Sequence, residues 1–184
     1  EDNGNGLNEK NWDAFTTTDT DNKIEIGGKG VGRLMWLDCF ESIRVKSTYT
    51  NDGSALRRKS FDFVLALDNQ IRNLSDEAIG EEVDVGFFVR FTGLRNNAYR
   101  DKFPGRDSFI FQHFTSHFLP SFIGGRSPRI QVIVGSESRD YPDAISEIVH
   151  RQDDAIDLDT AEYGVLTLTL MECSKVASSD LKGK

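Results

Sequence analysis

The stretch Gly27-Gly28-Lys29-Gly30-Val31-Gly32-Arg33, running on through Leu34-Met35-Trp36-Leu37 to Phe40, decides how the rest of the chain is read. Four glycines fall within six residues. Glycine tolerates positive φ and lets a backbone come close to a ligand. The apolar run behind them predicts a helix over Val31 to Phe40, whose free N–H groups and positive dipole end would favour an anion. An ordinary glycine-rich loop is the alternative. Spacing removes two familiar phosphate cradles. A Walker loop needs G-x-x-x-x-G-K-[ST], but Lys29 is followed by Gly30, and Lys23 stands where the first glycine belongs. A dinucleotide fingerprint, G-x-G-x-x-G, counted from Gly28 or Gly30, ends on Arg33 or Met35. What fits is G-x-x-G-x-G at Gly27, Gly30 and Gly32.

Around this stretch the chain has 184 residues, enough to bury a core, with 28% charged and 38% hydrophobic residues. A net charge of −8 argues against a mainly electrostatic nucleic-acid binder, although a local basic groove stays open. Arg57-Arg58-Lys59 is the densest basic cluster, and behind Asn51-Asp52-Gly53 it reads as a solvated hairpin tip. Cys39 and Cys173 have no C-x-x-C spacing and read as buried free thiols in a reducing, cytoplasmic compartment. The stretch from Ser108 to Gly125 lacks charged residues but carries Gln, His, Ser, Thr and Pro, so no membrane span is expected. The chain begins inside what reads as a turn and ends without capping or strand logic, as a fragment of a longer protein would.

Along the chain, Asp2 to Gly6 reads as a tight turn leaving a strand. Asn8 to Phe15 reads as a short helix with Asn8 as N-cap. Thr16 to Asp21 is a polar loop, and Lys23 to Ile26 a short strand or the end of that loop. Period-two alternation predicts strands over Ile43–Tyr49 and Ser60–Leu67, and Val83–Thr92 reads as a third, with a turn at Gly93. Residues 69 to 82 look polar and irregular. Asp107 to Phe122 is the clearest helix, with Phe111, Phe114, Phe118 and Phe122 on its core face. Ile123 to Pro128 breaks it and sets a boundary between domains 1–123 and 129–184. Beyond lie a strand at Arg129–Val134, an acidic helix or loop over Asp140–Asp157, and a strand over Tyr163–Met171.

Few constellations carry chemistry. His113 and His117 have a zinc-compatible i, i+4 spacing but lack further ligands nearby, so two polar-edge histidines are expected. His150 has no paired partner, and no nucleophilic triad can be drawn. Asp2 differs: a carboxylate at a strand end followed by Gly4 and Gly6 can accept a bond from an exocyclic amine while a flat ring comes close. The alternative is a plain Asp-x-Gly turn.

Together, D-x-G-x-G at Asp2, Gly4 and Gly6, a helix, a polar loop and G-x-x-G-x-G opening a second helix resemble the ATP-binding core of the gyrase, heat-shock chaperone, histidine kinase and MutL (GHKL) superfamily. The string GGKGVGRLMWLDCF is particularly like stand-alone bacterial ATP-binding proteins of the gyrase, chaperone and MutL branch. The resemblance covers residues 1 to about 123. It implies an α/β (α+β) two-layer sandwich, the Bergerat fold, with a mixed, mostly antiparallel sheet and helices on one face. The start of a transducer domain would follow. It implies that Asp2 binds the adenine amino group, that Gly4 and Gly6 let the base lie flat, and that Thr16 to Asn22 belong to a mobile lid. Gly27, Lys29, Gly30, Val31 and Gly32 would wrap the phosphates. The implied activity is ATP binding with slow, Mg²⁺-dependent hydrolysis that drives lid closure and dimerisation, acting on a protein or DNA client. A nucleotide-gated module without hydrolysis and a histidine-kinase-type phosphotransferase are the alternatives. Two departures stand out. The helix that supplies the superfamily's Glu base and magnesium-holding Asn should precede Asp2, so no catalytic residue or metal ligand can be named. The strand that usually carries Gly-Thr near the adenine here reads Gly86-Phe87.

Overall fold

The computed structural model describes residues 1–17, 32–51, 55–80, 83–103, 105–125, 127–146, 149–151, 155–168 and 171–173. They form two compact units, Glu1–Phe103 and Pro104–Lys184.

The first unit is built on a four-stranded sheet of β1 (Phe40–Tyr49), β2 (Arg57–Phe63), β3 (Ile71–Ala78) and β4 (Gly86–Leu94), in the order β3-β2-β1-β4. Every neighbouring pair is antiparallel. The alternation in β1 is what the sequence predicts: Ile43, Val45, Ser47 and Tyr49 are buried, while Arg44 and Lys46 are exposed. Leu7, Leu37, Ile43, Val45, Phe61 and Phe63 form the core. α1 (Glu9–Thr16) adds Trp12 and Phe15 to it, and α2 (Gly32–Cys39) adds Leu34 and Trp36, so both pack on the same sheet face. The Phe15 ring lies 5.4 Å from Phe61 and 5.3 Å from Phe63. Full burial of each such side chain stabilises by roughly 1.5–3 kcal/mol. The unit is thus α+β with an antiparallel sheet, and α3 (Asn97–Lys102) ends it.

Asn8 caps α1 as expected, its side chain accepting from Asn11 N at 3.0 Å. The second helix stops at Cys39, because Phe40 already pairs with Leu94 across the sheet. Two readings need correction. The polar stretch after residue 69 is not irregular throughout: Ile71–Ala78 is an edge strand. Its polar side chains hold it, with Asp76 bound to Tyr49 and Arg57 and Asn73 bridging a bulge to Asp62 at 2.7 Å. Arg57-Arg58-Lys59 is not a turn but the start of β2.

In the second unit, α4 (Asp107–Ile123) buries Phe111 and Phe122. Phe114 is half-buried, while Phe118 is 36% exposed. The buried stripe is therefore rotated towards Thr115, whose hydroxyl bonds the Tyr141 hydroxyl at 2.8 Å with both groups buried. Phe122, Tyr141 and Ile145 form the core, so α4 belongs with the segment after Gly124. The boundary read at residues 123–128 consequently lies earlier, between Phe103 and Pro104. β5 (Ile130–Val134) and β6 (Glu137–Tyr141) form a hairpin. The acidic stretch beyond it holds α5 (Asp143–Ser146) and β7 (Val149–Arg151). β8 (Ile156–Thr160) pairs with β9 (Gly164–Leu168), and β7 with β10 (Met171–Cys173).

Candidate nucleotide site

Asp2 pairs with Phe87 on the free edge of β4. Its N–H donates to Phe87 O at 2.8 Å, and Phe87 N–H donates back to Asp2 O at 3.0 Å. In such a hydrogen-bonded antiparallel pair the two side chains share a sheet face, and Phe87 packs against the core on the helix-covered one. The Asp2 carboxylate is exposed, and Oδ1 accepts from Gly4 N at 2.8 Å, closing a tight turn. A carboxylate has about four acceptor sites. Oδ2 takes no hydrogen bond among the described residues.

From that turn the chain runs across the end of the sheet, and the glycines show how closely. Gly6 has φ 62°, and a Cβ there would stand 2.7 Å from Ser47 Oγ and closer still to Thr48 O. Gly86 admits Asp2 in the same way, since a Cβ would meet Asp2 O at 2.5 Å. Gly6 is thus required by the crossing over β1, whatever else its missing side chain permits. A Cβ at Gly4 would meet only Asp2 Oδ1, at 3.0 Å, and the next Asp2 atom at 3.9 Å.

Two side chains from the sheet fix the crossing. Ser47 Oγ accepts from Leu7 N at 2.7 Å and donates to Gly86 O at 3.1 Å. Lys59, opposite Ser47 in register and 6% exposed, reaches Leu7 O at 3.4 Å. Its ammonium lies 4.3 Å from the Trp12 ring centroid and 4.8 Å from that of Tyr49. Asp76 Oδ2 is 3.7 Å away, with Arg57 Nε 2.9 Å from Oδ1. Burial lowers the Lys59 pKa, more than Asp76 restores it. Burial alone would raise Asp76, but hydrogen bonds from Tyr49 and Arg57 hold it below the usual carboxylate range. Tyr49 is raised by burial and by its bond to Asp76.

Of the residues expected to wrap phosphates, Gly27, Lys29, Gly30 and Val31 lie outside the described residues, as do 18–22 of the lid. Gly32 is the first residue of α2, and a Cβ on it would meet open space. Arg33 ties the start of α2 to the end of α1, donating to Thr17 O at 2.5 Å and Ala14 O at 3.3 Å, with its guanidinium 5.6 Å from the Phe15 ring centroid. Sequence reasoning missed Ser47, Lys59 and Arg33 as determinants of this region. The signal for the first two was polar residues at inward positions of otherwise apolar strands.

The other candidates do not join this site. His113 and His117 are exposed, with rings stacked at 6.4 Å. Among the described residues no group of three or more His, Cys, Asp or Glu is placed to hold a metal ion. Cys39 is a free, half-buried thiol, and the side chains of His150 and Cys173 lie outside the described residues. Among the described residues no helix is long and apolar enough to cross a membrane. The chain matches no protein-family model, no curated protein and no solved structure.

Proposed function

We propose that this chain binds ATP and hydrolyses it slowly, with lid closure and dimerisation as the output, on a Bergerat-type fold. The observation that carries the reading is the pairing of Asp2 with Phe87. It sets an exposed carboxylate beside the Gly86-Phe87 strand, the arrangement that the resemblance to the gyrase, chaperone and MutL branch requires. Asp2 accepts the adenine amino group, a charge-assisted bond contributing about 1.5–3 kcal/mol that guanine, with a carbonyl at that position, cannot make. Phe87 replaces the hydroxyl that the superfamily places here with an aromatic edge, so the base is held by apolar contact. The resemblance gives the phosphates to the glycines ahead of α2, and Arg33 ties the start of that helix to the end of α1.

Magnesium, when bound, neutralises phosphate charge during transfer to water. Among the described residues no group of three or more His, Cys, Asp or Glu is placed to hold it. The test is ATP and GTP binding together with phosphate release, for the wild type and Asp2→Asn. Selective ATP binding that the substitution weakens supports the site, and accompanying phosphate release supports the hydrolase. Equal binding of both nucleotides, unaffected by the substitution, overturns the adenine assignment.

A further inference from the structure

The helices cover one face of the four-stranded sheet, and the opposite face carries an uneven charge. Register places Arg44 between Asp62 and Arg90, Lys46 between Ser60 and Phe88, and Thr48 between Arg58 and Gly86. Neighbouring strands lie about 4.8 Å apart and alternate residues about 6.7 Å, so these side chains share one small patch. Arg44 bonds Asp62 at 3.0 Å yet keeps 63% of its side chain exposed. Among the described residues, Lys46, Arg58 and Arg90 form no ion pair. Among the described residues, the carboxylates on this face are Asp62, held by Arg44 and Asn73, and Glu77, opposite Arg58 and bonded to Ser75 Oγ at 2.6 Å; Arg72, opposite Asp62, is neutralised by Asp68 at 2.8 Å. Apart from the Arg72–Asp68 pair, four cations thus face two carboxylates among the described residues, on a chain whose net charge is −8. Phe88 sits among them, half-buried, with the Arg90 guanidinium 5.8 Å from its ring centroid.

We propose that this face binds single-stranded nucleic acid. Arg44, Lys46, Arg58 and Arg90 neutralise phosphates, and a base stacks on Phe88 against Arg90. A cationic surface with an aromatic ring at its centre is how sequence-tolerant single-strand binders work. An acidic peptide would use the cations but has no use for the ring. A duplex hides its bases and could offer only its phosphates. Asp2, Ser47 and Lys59 lie on the other face, so this proposal is independent of the nucleotide site.

The test is fluorescence anisotropy of a labelled oligouridylate with the 184-residue chain, the double variant Lys46→Glu/Arg58→Glu, Phe88→Ala and Phe88→Leu, each checked for folding by circular dichroism. Binding should fall with salt at a log–log slope of about −3, the value for roughly four phosphates neutralised on a single strand. The charge-reversal variant should lose at least about tenfold in affinity. Phe88→Ala should lose about five- to a hundredfold, with Phe88→Leu losing a similar amount because a leucine cannot stack. An unlabelled duplex should compete poorly. No binding at about 50 mM salt overturns the proposal. Binding that the charge variant abolishes but both Phe88 variants leave unchanged, or that polyglutamate displaces as well as unlabelled oligouridylate does, also overturns it and identifies an acidic-protein surface instead.

Discussion

Asp2 and Phe87 exchange both of their backbone hydrogen bonds, at 2.8 and 3.0 Å, and so place an exposed carboxylate next to an aromatic ring that packs on the core. The pair also fixes the register between the D-x-G-x-G turn and β4, because Gly86 is where Asp2 O comes close. At the proposed adenine site, Phe87 stands where the resemblance calls for a hydroxyl-bearing residue. The site's geometry depends on the crossing of residues 2–7 over the sheet, and several consequences can be measured.

Gly6→Ala should destabilise the first unit by about 1–3 kcal/mol or more, since it adds a methyl at φ 62° against Ser47 and Thr48. Gly4→Ala should cost far less, because its Cβ meets only the movable Asp2 carboxylate. Urea unfolding followed by Trp fluorescence separates the two, as Trp12 and Trp36 both pack against the first unit's core.

Asp76→Asn should destabilise the same unit by roughly 1–3 kcal/mol, through weakened bonds from Tyr49 and Arg57 and a less compensated Lys59. The sign of the pH effect comes from the lowered pKa. Asp76 stabilises the fold above its unfolded value near 3.8, and the contribution disappears as pH falls through the lower folded value. The gap in urea midpoint between wild type and Asp76→Asn should therefore be widest near neutrality and close in acid. A gap unchanged between neutral pH and pH 3 would contradict the charge-assisted role.

The buried Thr115–Tyr141 bond predicts a coupling in the second unit. Thr115→Val leaves a buried tyrosine hydroxyl without its partner and should cost about 1–3 kcal/mol. Tyr141→Phe added to it should cost little more, and a double-mutant cycle measured by thermal unfolding should return a coupling of about 0.5–3 kcal/mol. Additive single effects would show that the bond contributes nothing.

Local signals were legible in the sequence where the backbone itself imposes them. Asn8 capping α1, the alternation of Ile43 to Tyr49 and the length of α4 all come from short-range rules. What escaped was set by partners distant in sequence. β3 lacks apolar alternation because Asp76 and Asn73 hold an edge strand through polar bonds. Arg57-Arg58-Lys59 resembles a solvated turn until Asp76 and the rings of Trp12 and Tyr49 are seen around Lys59. The boundary was placed at a local helix breaker, whereas α4 is tied to the segment after Gly124 by Phe122 and by the bond from Thr115 to Tyr141. At the candidate site the D-x-G-x-G turn was readable, and Gly6 has a steric reason beyond the one the motif suggests. Ser47 and Lys59, which fix that turn, carried only the weak signal of polar residues at inward positions.

The central claim is adenine recognition by Asp2, and isothermal titration with ATP and GTP tests it most directly. The wild type should bind ATP more tightly than GTP. Asp2→Asn should weaken ATP binding by about 1.5–3 kcal/mol, roughly ten- to a hundredfold, and leave GTP nearly unchanged. Equal affinities for ATP and GTP that the substitution leaves untouched would contradict the account.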